Sequence, residues 1–198
     1  MINITKFGNF KDFETNKNKK QIILCNSFRS EIPYLNSLKN RNNGNYKKIP
    51  NYFINRDGKI VGLISDDSFS EFFSDYEINK NSIIICLENL GWATKVPLNS
   101  QYFSWIGEPV NGSVYERKWR EKIYWQEYSN EQMESLVELC EKLTKKFSIH
   151  KTFIGHNTKV DGIKIFNGIV CRSNYNNKFT DPSPAFKFEE FKNRIENE

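Results

Sequence analysis

Long apolar runs, paired cysteine motifs and blocks of like charge are all missing from this 198-residue chain. No stretch approaches the roughly 18 apolar residues of a membrane span, so none is expected. The opening MINITKFGNFKDFETNKNKK lacks the apolar core of a secretory signal, and cytoplasmic synthesis of a soluble chain is the expectation. Cys25, Cys86, Cys140 and Cys171 lie far apart with no CxxC spacing. That argues against a zinc ribbon or a disulfide framework and for reduced thiols. The net charge of +5 comes from interspersed cations and carboxylates. With no zinc finger, RNP-type aromatic motif or long basic arm, nucleic-acid binding is not expected. Internal repeats and flexible linkers are absent too, and the length suits one domain that buries a core without a metal or disulfide staple.

What is present is aromatic and locally periodic. Sixteen Phe, nine Tyr and four Trp can fill a core or stack on sugars. After a polar segment over residues 1–20, QIILCNSF (21–28) reads as a buried strand, and SEIPYLNSLKN (30–40) as a short helix opened by Ser30. NYFINRDGKIVGLI (51–64) reads as a hairpin turning at Arg56-Asp57-Gly58, where glycine supplies a positive φ. NSIIICLENLGW (81–92) has the unbroken apolar run of a strand covered on both faces, near the sheet centre. Residues 93–128 show no clean period and read as an aromatic insertion with short strands. SNEQMESLVELCEKLTKKF (129–147) is an amphipathic helix with Ser129 and Gln132 as a capping box. TFIGH (152–156) reads as a strand ending in a Gly-His turn, and FKFEEFKNRI (186–195) as a closing helix. The order predicts an α/β domain over 21–198, a central mixed β-sheet flanked by helices.

In such a sheet, side chains at adjacent strand ends converge on one rim. Cys25, His156 and Asp181 are the candidates there. A thiolate, an imidazole and a carboxylate can hold zinc with a fourth position open to water. No two are close in sequence, and the alternative is a loop histidine bonded to backbone and a cysteine that only fills the core.

The order of several motifs resembles the zinc-dependent N-acetylmuramoyl-L-alanine amidase family, whose fold is shared by amidase-type phage lysozymes and peptidoglycan recognition proteins. QIILCNS is similar to its first strand, NYFINRDGKI to its His-Tyr-x-Ile-x-Arg-Asp-Gly hairpin, and SIIICLENLGW to its Ile-Gly-Ile-Glu-Leu-Glu strand. YSNEQMESLVELCEKL resembles its Tyr-Thr-x-x-Gln helix, IGH its second ligand strand, and FTDPSPAF its Asp-Pro-Gly-Pro-Ala-Phe segment. GIVCRSNY and KWREKIYWQEY are similar to a phage-type branch.

The resemblance implies one zinc ion held by Cys25, His156 and Asp181, with Cys25 standing where the family has His. It implies catalytic help from Glu88, Lys159 or Lys178, because the usual helper positions hold Pro50, Cys86 and Phe179. Asn51 replaces the hairpin histidine. Asn51, Trp92 and Asn157 would line a substrate groove, with Trp105, Trp119 and Trp125 as further walls. The implied partner is peptidoglycan or a muropeptide, met in a virion or on release at host lysis. Two roles stay open: hydrolysis of the amide between N-acetylmuramic acid and L-alanine, or capture of wall fragments or another small ligand without turnover.

Overall fold

The computed structural model describes residues 3–8, 10, 13–97 and 100–197. Among the described residues, twelve strands and four α-helices follow one another: β1 (Ile4–Lys6), β2 (Glu14–Thr15), β3 (Gln21–Asn26), α1 (Glu31–Asn40), β4 (Tyr52–Ile54), β5 (Ile60–Gly62) and β6 (Ser68–Phe69). Then come α2 (Tyr76–Asn81), β7 (Ser82–Leu87), β8 (Trp92–Lys95), β9 (Tyr102–Ser104), β10 (Val114–Trp119), β11 (Lys122–Gln126), α3 (Asn130–Phe147), β12 (Gly168–Cys171) and α4 (Phe188–Asn197).

The main sheet has the order β1-β5-β4-β7-β3-β12. Strands β12, β3, β7 and β4 run parallel, while β5 turns back antiparallel to β4. The sheet is mixed, as the sequence predicts. Every residue of β3 and β7 is buried, because helices and loops cover both faces of the sheet. On one face Ile22, Leu24, Ile83, Ile85 and Leu87 pack under α3 and α4, against Leu136, Cys140 and Phe191. On the other, Ile23, Cys25, Ile84, Cys86 and Phe53 pack under Tyr34, Leu35 and Leu38 of α1.

Three expectations change. Residues 1–20 do more than precede the domain: β1 pairs with β5 at the sheet edge and β2 pairs with β6, although positions 1, 2, 9, 11 and 12 lie outside the described residues. The insertion over 93–128 forms a second antiparallel sheet, β10-β11-β8-β9, seated on the fully buried Trp125. TFIGH is not a strand. It makes one bridge, Phe153 to Ile169, and the sheet's last parallel strand is β12. Gly155 breaks the run with φ +76°, a value that extended backbone does not take.

The hairpin and the long helix are as read. Gly58 has φ +80°, and a Cβ there would sit 2.7 Å from the Glu131 carbonyl oxygen, so the turn packs directly on the first turn of α3. Ser129 caps α3 by accepting from the Gln132 amide. The side chain of Gln132 does not return to complete a capping box. It reaches into the sheet and donates to the carbonyls of Ile54 and Glu88 at 2.9 and 3.1 Å, locking α3 onto the ends of β4 and β7.

Candidate functional site

Because β12, β3, β7 and β4 are parallel, their carboxyl ends share one rim, where open parallel sheets place their ligands. Side chains alternate along each strand. Cys25 and Cys86 are paired in register and both face α1. Cys171 pairs with Leu24 on the opposite face, so the next residue, Arg172, comes out beside Cys25 on the α1 side. The rim therefore carries Cys25, Cys86 and Arg172 from three neighbouring strands.

Asp181 joins them from the loop after β12. It is fully buried and accepts from the Asn26 amide at 3.0 Å, while Arg172 Nε meets its two oxygens at 3.0 and 2.8 Å. Tyr128 holds the loop in place: its hydroxyl donates to Asn26 Oδ1 at 2.9 Å and accepts from the Ser183 amide at 3.0 Å. Burial pushes the Asp181 carboxyl above its ordinary range, opposed chiefly by the Arg172 charge. The guanidinium is flanked by the rings of Phe179, Phe28 and Phe72 at 4.6, 5.6 and 6.0 Å. Ring faces complement a cation without offering it a strong acceptor.

Cys25 is fully buried, and its thiol donates weakly to the Ile85 carbonyl at 3.5 Å. Burial, and then the neighbouring Cys86, raise it well above the ordinary thiol range. The Tyr34 hydroxyl is raised by burial and by the same cysteines, its ring stacked on Phe53 at 5.2 Å. These groups are neutral at physiological pH and pack as core. All four cysteines are free and buried.

The other residues named from sequence scatter. His156 is exposed, with Nδ1 engaged by the Thr158 hydroxyl at 2.9 Å. Glu88 is half-buried, with the Glu31 and Arg56 amides each 3.0 Å from a carboxylate oxygen. It serves the N-terminus of α1, whose N-cap Ser30 makes no side-chain cap bond. Lys159 pairs with Asp161 at 2.9 Å, and Lys178 lies exposed on the loop before Asp181. Asn51 is buried and donates to the Ser65 and Ser68 carbonyls while accepting from the Ile84 amide. It is a structural splice where a histidine was the family expectation. Asn157 donates to the Pro182 carbonyl. Trp92 belongs to the second sheet, under the Lys122 ammonium at 3.8 Å, and Trp125 is core rather than groove wall.

This donor set does not fit a zinc ion as arranged. Among the described residues, no group of three or more His, Cys, Asp or Glu is placed to hold a metal. Asp181 already neutralises a guanidinium, Cys25 holds its proton, and His156 is exposed with Nδ1 engaged by Thr158. A cation does sit between the buried carboxylate and the thiols, but it is Arg172. Sequence reading missed it because IGH drew attention to the histidine that ends a strand-like run. The better signal is Ile169-Val170-Cys171, bounded by Gly168 and followed by a charged residue nine positions before Asp181.

Comparison with known proteins agrees with this fold. Residues 14–178 match the family model described as N-acetylmuramoyl-L-alanine amidase. A comparison with curated protein sequences finds no match. Among solved structures, the amidase LysC from Clostridium intestinale URNW is similar at 12% identity and TM-score 0.59, covering 98% of both chains. The endolysin amidase LysCS from the same organism has 13% identity and TM-score 0.60, covering 98% of this chain and 96% of its own. AmiD from E. coli, solved in complex with anhydro-N-acetylmuramic acid-L-Ala-D-gamma-Glu-L-Lys, has 13% identity and TM-score 0.57 over 94% of this chain and 60% of its own. At those identities the likeness establishes the fold. With most of its length matched by the family model, the chain belongs to the N-acetylmuramoyl-L-alanine amidase family.

Proposed function

We propose that this chain is a wall-directed, phage-type member of the family that captures peptidoglycan fragments without metal-dependent hydrolysis. The observation that carries the reading is the Arg172–Asp181 pair, 2.8 Å apart with the carboxylate fully buried. A cation covalently part of the chain occupies the rim position beside Cys25, and it cannot acidify a bound water to hydroxide as a metal would. A guanidinium stays protonated, burial holds the Cys25 thiol and the Tyr34 phenol neutral, and the Asp181 carboxylate is engaged by Arg172, so none of these serves as a free general base near pH 7. It retains binding capacity: a cation, aromatic faces and an adjoining cavity. Among the described residues no helix is long and apolar enough to cross a membrane. Access to wall material in a virion or at host lysis suits such a protein.

Co-sedimentation with purified sacculi and dye release from labelled peptidoglycan test the proposal together. Retention on sacculi with no release above buffer is the expected result. Zinc-dependent release that His156→Ala abolishes would establish instead the hydrolase reading with Cys25, His156 and Asp181 as ligands.

A further inference from the structure

Arg172 uses only part of its hydrogen-bonding capacity. Nε serves both oxygens of Asp181, and among the described residues Nη1 and Nη2 make no hydrogen bond to a protein acceptor. The side chain is only 19% exposed, and what remains open faces a cavity of about 760 Å³. A guanidinium so enclosed, with its outer donors unmatched, is costly unless water or a ligand meets them. Three aromatic rings surround it and Asp181 anchors Nε, which limits how the free edge can turn and suits bidentate recognition.

The surroundings narrow the ligand. Lys159 and Lys164 at the cavity are matched by Asp161 and Asp75, and Asp181 offsets Arg172 itself. Lys48 adds a positive charge with no ion pair among the described residues. The site is therefore mildly cationic, suited to one negative charge and poorly to a dianion. Phe73 and Ile163 give the cavity an apolar wall, suited to a ligand with an apolar stretch next to its charge.

We propose that Arg172 anchors a carboxylate-binding site, its Nη edge pairing bidentately with a monoanionic carboxylate on a ligand seated in the adjoining cavity. The proposal rests on the capture of wall fragments for the ligand's identity, the free carboxylate of a muropeptide stem, but not for the chemistry of the anchor. A guanidinium at the rim thus reads charge directly.

The test is calorimetric titration of the full chain with a muramoyl dipeptide bearing a free carboxylate and with its amidated counterpart. The variants are Arg172→Lys and the double Arg172→Met with Asp181→Asn, which removes both charges and leaves no orphan carboxylate. Thermal melts confirm that each is folded. The acid should bind wild type at least about tenfold more tightly than the amide, as the loss of a charge-assisted pair implies. Arg172→Lys should reduce that preference and the double variant erase it. If neither muropeptide binds but 3-phenylpropionate does, in an Arg172-dependent way, the anchor stands and the wall reading fails. Equal binding of acid and amide by wild type, a preference that survives in the double variant, tighter binding of inorganic phosphate than of carboxylate, or no binding of any carboxylate would each overturn the proposal.

Discussion

Replacing Arg172 with methionine keeps most of the side-chain volume and removes the charge that faces Asp181. The carboxylate is then left at zero exposure with the Asn26 amide, 3.0 Å away, as its remaining strong donor. Breaking one side of a buried pair costs about 3–5 kcal/mol. The surviving amide bond and the freedom of Asp181 to take a proton place this case near the low end, about 3 kcal/mol. For a chain of this length that is a fall in melting temperature of about 6–12 °C. Asp181→Asn in the same background should recover most of the loss, since a neutral amide has no uncompensated charge to bury. The pH dependence has a definite sign. Burial already raises the Asp181 carboxyl, and removing the cation raises it further. The folded variant then binds more protons than the unfolded chain between the ordinary carboxylate pKa and the raised one, so its stability falls as pH rises through that window. Urea denaturation at pH 4.5 and pH 7 should show the penalty growing toward neutrality. A penalty below about 0.5 kcal/mol at pH 7, or one that Asp181→Asn does not relieve, would refute the argument that the pair is a tight electrostatic unit.

Lys19, 3% exposed and bonded to the Ser68 and Lys80 carbonyls, is pushed down by burial to about 8 from 10.5. Between those values the unfolded chain binds more protons, so stability rises with pH. Lys19→Met should lack that rise, of order 3 kcal/mol, in paired denaturation curves at pH 7 and pH 10. Gly58→Ala forces a positive φ on alanine and sets its Cβ 2.7 Å from the Glu131 carbonyl; a loss of about 2 kcal/mol or more is expected from melting, and an unchanged melting temperature would mean that the hairpin does not dock on α3 as described. Glu88→Ala removes the acceptor for the first amide of α1 and should destabilise by about 1 kcal/mol. Hydrogen exchange should speed at Glu31 and Arg56 while the second sheet stays protected.

Elements written in local chemistry were legible in the sequence. The apolar runs of β3 and β7, the glycine-turned hairpin and the periodic α3 need only a few neighbouring residues to declare themselves. The loop that carries Asp181 was legible as well, since prolines stand on either side of Ser183, but the burial of its carboxylate beside Arg172 was not. What failed was long-range or shared. β12 is four residues long and owes its place to pairing with β3, information that no short window holds. Arg172 reads as an ordinary surface cation until β12 is set beside β3. His156 attracted attention by residue type, yet Gly155 turns the chain away before the histidine reaches the rim. Gln132 was assigned to a cap by spacing, but tertiary contact with two strand-end carbonyls wins over the local bond. The aromatic insertion has no period because its short strands are stabilised across the second sheet, around Trp125, rather than along the chain.

On the proposed function, Arg172 holds the rim position a metal would need. Metal analysis of the purified chain after equilibration with zinc, beside Arg172→His, tests it most directly. Substoichiometric zinc in wild type, rising toward one ion per chain when the guanidinium gives way to an imidazole between Cys25 and Asp181, is the predicted result. Stoichiometric zinc in wild type that is lost on His156→Ala would contradict it.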